Sequence, residues 1–155
     1  MKTTYALDTN TISYFLRGEG NVDEHFQKEI IDANNAYAVP HIVIYEIKRW
    51  LLDKPTKQNQ AFAQEFDALF HCVKEAAEMP FQIWKKAAEI YISLKQKGQL
   101  IGDADILIAA YCLVNGYTLV TSNEDDFARI ENLRIVNWYK KSEVRNNYAE
   151  EERDK

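Results

Sequence analysis

The sequence predicts an α/β fold: a mainly parallel central sheet of about four to five strands, covered by helices in a three-layer α/β/α arrangement. Two observations carry this reading. Short runs of β-branched and aromatic residues alternate with longer stretches in which apolar residues recur every three or four positions. The first run also ends in an acid, in Thr4-Tyr5-Ala6-Leu7-Asp8-Thr9-Asn10-Thr11. In an open parallel sheet the carboxyl ends of the strands form the ligand crevice, so Asp8 stands where a site would be expected.

Strands are expected at Thr3–Leu7, Ala36–Val39, Phe70–Val73, Thr118–Val120 and Arg134–Val136. The first helix runs from Thr9 to Leu16, and Arg17-Gly18 ends it with a cation and a glycine. Val22 to Ala33 follows, closed by Asn34-Asn35. Ile42 to Leu52 stops before Pro55, and Lys57 to Leu69 carries Phe62, Phe66 and Leu69 on one face. Pro80 to Lys97 presents Ile83, Trp84, Ala87, Ala88, Tyr91 and Leu94 as an apolar stripe that Gly98 closes. The last strong helix opens at Gly102-Asp103 and ends at Asn115-Gly116, leading directly into Thr118-Leu119-Val120. From about Glu143 the apolar periodicity is lost.

A chain of 155 residues, 46% hydrophobic and 28% charged, suits one domain with one core. Cys72 and Cys112 match no zinc-ligand spacing, and Cys112 lies in the apolar run Ile106–Val114 as an expected core thiol. With no signal peptide and no apolar run long enough to span a bilayer, a reduced, cytoplasmic setting without membrane association is expected. The net charge of −5 argues mildly against broad nucleic-acid binding, but residues 150–155 and the candidate acids supply the deficit and leave the remaining surface near neutral. Neither GxGxxG nor GxxxxGK nor G-x-S-x-G occurs, and His25, His41 and His71 are scattered. Dinucleotide-dependent redox and serine-hydrolase chemistry are therefore unsupported.

The informative residues are acids in apolar company. Asp8 is a strand-end ligand or the N-cap of the following helix, with Asn10 capping the same helix or orienting Asp8. Glu46 sits inside Ile42-Val43-Ile44-Tyr45-Glu46-Ile47-Lys48-Arg49-Trp50, either as a site acid or as a surface partner of Arg49 or Trp50. Asp103 and Asp105 open the most apolar helix. Asp103 is expected as its N-cap and Asp105 as a ligand projecting from the first turn. After the strand ending at Val120, Thr121, Asn123 and Asp126 offer oxygens that suit a hard cation, or simply build a turn. Acids in such positions are costly to bury unless something neutralises them, and a divalent cation is the simplest candidate.

Taken together these segments resemble the PIN-domain ribonucleases, particularly the VapC type found as toxins in toxin–antitoxin pairs. Leu7-Asp8-Thr9-Asn10 with Ser13, Tyr45-Glu46-Ile47, Asp105-Ile106-Leu107-Ile108-Ala109-Ala110 with Asn115-Gly116, and Leu119-Val120-Thr121-Ser122-Asn123 with Asp126-Phe127 and Val136-Asn137-Trp138 match the family's motifs in order. The resemblance runs from Tyr5 to about Trp138 and implies a PIN-like domain over residues 1–142, while the loss of apolar periodicity makes 143–155 an expected flexible acidic tail. It implies a Mg²⁺ or Mn²⁺ site with Asp8, Glu46 and Asp105 as metal and catalytic acids. The family often has a fourth acid where Asn123 stands, so Asp126 either substitutes as a catalytic acid or supports the loop with Asn10, Asp103, Thr121 and Asn123. His41 stands where a small hydroxyl residue is common.

The resemblance further implies cleavage of single-stranded or loop RNA, often tRNA, by a homodimer held in check by a small VapB-like antitoxin, through which alone operator DNA would be bound. RNA contacts are expected from Arg17, Lys48 and Arg49. The alternatives are a catalytically silent PIN-fold binding module and a housekeeping RNA-processing nuclease.

Overall fold

The computed structural model describes residues 2–71 and 80–140. Its centre is a sheet of four strands, β1 (Thr4–Leu7), β2 (Ala36–Ala38), β3 (Thr118–Val120) and β4 (Ile135–Val136), in the order β2-β1-β3-β4. Every pairing is parallel, with Ala6 opposite both Ala38 and Leu119, and Val120 opposite Val136. Parallel strands need crossovers, and the helices supply them. These are α1 (Thr9–Arg17), α2 (Val22–Phe26), α3 (His41–Asp53), α4 (Lys57–His71), α5 (Phe81–Gln96), α6 (Asp103–Asn115) and α7 (Glu124–Phe127). The result is the three-layer α/β/α fold expected, with Ala6, Leu7, Leu119 and Val120 at 0–2% exposure in the middle of the core.

Local chemistry sets the helix ends. Gly18 and Gly116 take the left-handed conformation (φ 65° and 69°) that closes α1 and α6, which is why both ends were legible as glycines. The core stripe of α3 is Val43, Ile47 and Leu51, one residue per turn. Cys112 is a core thiol as expected, and burial, aided by the charge of Asp8, holds it well above the usual thiol range.

Several expectations need correction. Phe70 and His71 end α4 rather than open a strand; Cys72 and Val73 lie outside the described residues, as do residues 143–155. The single helix expected over Val22–Ala33 is α2 followed by a π-helical turn at Gln27–Asp32. On α5 the buried stripe is Ile83, Ala87, Ile90 and Leu94, while Trp84 and Tyr91 sit on the outer side. Residues 124–127 form a short helix where turn chemistry was expected. Gly20 (φ 69°) lies under the ring of Tyr139, where a Cβ would come within 2.1 Å of the ring, and Lys140 N–H donates to the Gly20 carbonyl at 2.7 Å. The chain beyond β4 is thus clasped across the loop between α1 and α2.

Candidate active site

The site grows from the carboxyl edge of the sheet. The Asp8 N–H donates to the Val120 carbonyl at 3.0 Å, so the ends of β1 and β3 stay paired one step past the ladder. Asp8 is extended (φ −76°, ψ 161°) and is the N-cap of α1, its Oδ1 accepting from the Thr9 N–H at 2.8 Å. Its Oδ2 accepts from the Thr121 hydroxyl at 2.7 Å, and both residues are buried (4% and 0% exposed). The cap reading of Asp8 holds, and the two bonds together fix its carboxylate, one from the helix it caps and one from Thr121. Burial pushes the Asp8 carboxyl up, opposed by its bonds to Thr121 and Thr9 and aided by the charge of Glu46.

Glu46 is brought in by α3, where its Oε1 accepts from the Thr9 hydroxyl at 2.7 Å. Asp105 comes from the first turn of α6. Gly102, not Asp103, is the N-cap: Gly102 is extended, its carbonyl receives the Ile106 N–H at 3.0 Å, and Asp103 is the first helical residue with its side chain exposed. Asp105 is thereby one position deeper in the helix than expected. Its carboxyl is pushed up to about 6, first by burial and then by the charges of Asp8, Glu46 and Asp126. Four acids, from the end of β1, α3, α6 and α7, therefore share one field.

Asp8, Thr9, Asn10, Glu46, Asp105 and Asn123 line one open cavity of about 400 Å³, completed by Ser13, Arg17 and Trp50. Asn10 neither caps α1 nor bonds Asp8; it lies inside the helix, and its Oδ1 accepts from the Ser122 N–H at 3.4 Å, tying α1 to the loop after β3. Thr121 also accepts the Asn123 N–H at 3.0 Å, so one hydroxyl holds both Asp8 and that loop. Asn123 reaches the cavity wall, and Asp126 stands behind it, accepting from Asn123 Nδ2 at 3.1 Å and facing Arg129 at 3.7 Å. Of the basic residues expected to meet RNA, Arg17 lines the cavity. Lys48 is paired with Asp67, and Arg49 lies over the Tyr45 ring at 5.2 Å.

Among the described residues, no group of three or more acid, histidine or cysteine side chains converges into a ready-made ligand cage. The donor chemistry still fits a divalent cation. The lining is rich in oxygen and open to water, and positive charge would relieve the repulsion that, after burial, raises Asp105. An ion such as Mg²⁺, which keeps several waters and takes one or two carboxylates, needs no closed cage. Sequence reasoning passed over the hydroxyl of Thr9 as the support of Glu46, and Trp50 as part of the wall. From the sequence, Trp50 is expected as a partner of Glu46 one helical turn on and, with Phe62, as an exposed apolar group that an antitoxin segment would cover.

Known proteins resemble this chain in sequence and in fold. The PIN domain family model matches residues 5–133. Ribonuclease VapC2 of Rickettsia felis is 33% identical over 138 residues, covering 88% of this chain and 98% of that protein. Ribonuclease VapC1 of Methanocaldococcus jannaschii is 29% identical over 111 residues, covering 70% and 74%. Among solved structures, VapBC2 from Rickettsia felis bound to a DNA fragment from its promoter aligns with a TM-score of 0.76 at 30% identity, over 88% of this chain and 99% of that one. VapBC-1 from nontypeable Haemophilus influenzae aligns with a TM-score of 0.73 at 23% identity, over 88% and 98%, a likeness of fold.

Proposed function

The chain belongs to the PIN-domain family, and from that membership we propose that it is a Mg²⁺- or Mn²⁺-dependent endoribonuclease acting as the toxin of a type II toxin–antitoxin pair. The observation that carries the proposal is the gathering of Asp8, Glu46 and Asp105 from the end of β1, α3 and α6 around one cavity, with the Asp105 carboxyl raised first by burial and then by its acidic neighbours. Similarity to proteins named VapC ribonucleases, over 88% of the chain for the Rickettsia felis protein, supports the substrate class.

Asp8, Glu46 and Asp105 would hold the ion. The chemistry it supplies when bound is charge: it neutralises the acids and stabilises negative charge growing on the scissile phosphate. The protein does the rest. Asp8 is held on both oxygens and cannot turn away, and Glu46 is held by Thr9. Asp105 is the group placed to take the proton from the attacking water at a carboxylate oxygen. The water oxygen bonds to phosphorus, the bond to the 3′ oxygen breaks, and that oxygen is protonated from solvent. The products are a 5′-phosphate and a 3′-hydroxyl. Asn10, Thr121 and Asn123 keep the loop after β3 in place, and Asp126 adds negative charge that acts on Asp105.

tRNA is the proposed substrate, since looped-out bases can enter an open cavity that a duplex cannot. The proposed partners are a VapB-like antitoxin, carrying a basic side chain toward the acids, and a second copy of this chain. The Rickettsia felis VapBC2 complex supports the antitoxin. The test is cleavage of total tRNA by antitoxin-free protein, with Mg²⁺ or with EDTA, beside Asp8→Asn. Discrete fragments bearing 5′-phosphates, lost with EDTA and in the variant, are expected. Cyclic phosphate ends, or cleavage that survives in both controls, would overturn the mechanism.

A further inference from the structure

Trp50 has no place in the mechanism, yet it stands in the wall of the acid cavity. It lies four residues after Glu46 on α3, so the two share one helix face and neighbouring turns. That face is not the core stripe, which is Val43, Ile47 and Leu51. The indole is half-buried, packed near the Phe62 ring of α4 with centroids 6.2 Å apart and planes inclined by 31°. A large aromatic group is therefore braced from behind and borders water beside the carboxylates. Arg17, 38% exposed and paired at 3.5 Å with the exposed Glu19, lines the same cavity, its guanidinium 5.3 Å from the centre of the Tyr14 ring.

The cavity thus offers acids, an aromatic wall and a cation within about 400 Å³, and pockets that enclose small ligands run from roughly 300 to 1,000 Å³. These are complements of a phosphodiester handled through a cation, an unstacked base and a neighbouring phosphate. Sequence-tolerant recognition of single strands depends on bases stacking on aromatic side chains.

Building on the ribonuclease reading, we propose that Trp50 is the stacking platform for an unpaired base next to the scissile phosphate, and so a substrate-binding residue of this chain. Arg17 contacts the adjoining phosphate. The platform holds the strand with a base splayed out of its stack, which explains why a protein of net charge −5 could engage RNA without a broad basic surface.

The experiment is steady-state cleavage of a synthetic RNA hairpin carrying the cut tRNA loop, by the full chain and by Trp50→Ala, Trp50→Phe and Asp105→Asn. Each enzyme is also tested on hairpins with a single abasic position walked through the loop. Losing one stack should raise KM for Trp50→Ala roughly 5- to 100-fold, with kcat changed far less. Trp50→Phe should recover most of the loss, which separates stacking from damaged packing against Phe62. One abasic position should penalise the wild type and leave Trp50→Ala nearly unaffected.

An unchanged KM in Trp50→Ala, or abasic penalties equal in both proteins, would overturn the platform while cleavage lost in Asp105→Asn keeps the nuclease. The platform also falls if Trp50→Ala cuts normally but no longer binds its antitoxin, since the indole would then be a protein anchor. Absence of cleavage by the wild type, unchanged in Asp105→Asn, would overturn both.

Discussion

Strands β1 and β3 each change character within a single residue. Leu7 and Val120 are buried apolar partners in register; Asp8 and Thr121, the next residues on, are just as buried and are polar. The first pair stabilises the fold by leaving water. Asp8 loses hydration, and its hydrogen bonds to Thr9 and Thr121 offset that loss only in part, since its carboxyl remains raised. One backbone geometry thus serves stability on one side of a peptide bond and, on the function proposed above, chemistry on the other. Mutations across that boundary should separate the two.

The largest separation is expected between Leu119→Ala and Asp8→Asn. Leu119 is fully buried, and truncating it should cost about 2–5 kcal/mol in urea unfolding. The residual folded enzyme should keep its turnover. Asp8→Asn should lose cleavage by about a thousandfold or more, as expected when several kcal/mol of transition-state stabilisation is removed. Its stability without metal should change by only about 1 kcal/mol, because the amide removes the buried charge. Equal loss of stability in both would erase the boundary.

Thr121→Val probes the boundary more finely. The change keeps the shape but deprives Asp8 Oδ2 of its donor and the Asn123 N–H of its acceptor. Groups that orient metal ligands are typically worth about 10- to 100-fold in activity or metal affinity. A fall of that size in kcat, with about 1–2 kcal/mol lost in stability, would place Thr121 on the functional side. An unchanged kcat would return it to the core.

The smallest expected effect is a pH slope. Asp105 has a folded-state carboxyl at about 6 against an ordinary 3.8, so the native state binds more protons than the unfolded chain between those values. Stability without metal should therefore fall as pH rises through that window, the opposite of a salt-bridged carboxylate. Thermal unfolding in EDTA across the window reads it directly, and Asp105→Asn should flatten the curve.

How much of this was legible follows from whether the signal was local. Asp8 could be read because a strand end and a helix start meet there in sequence, and the end of α6 because Asn115-Gly116 is a local stop signal. Thr9 holding Glu46 joins positions 37 residues apart, and no periodicity records such a bond. Trp50 read as a surface group one turn beyond Glu46, because spacing cannot tell an exposed face from a cavity wall. Gly20 gave no hint of its role, which depends on the Tyr139 ring arriving from the far end of the fold. The short helix α7 was hidden by its own composition, since Asn and Asp favour turns and helix starts alike.

The acids of this cavity should burden the fold until a divalent cation joins them. The unfolding free energy of wild type and Asp105→Asn at neutral pH, each in EDTA and in Mn²⁺, reads that burden. In EDTA the variant should be the more stable, by about 1 kcal/mol after allowing for the partial exposure of Asp105. In Mn²⁺ the wild type should gain and the order reverse, as ligand linkage requires. A wild type more stable than Asp105→Asn in EDTA, with no gain from the ion, would mean that the acids carry no such burden and hold no such ion.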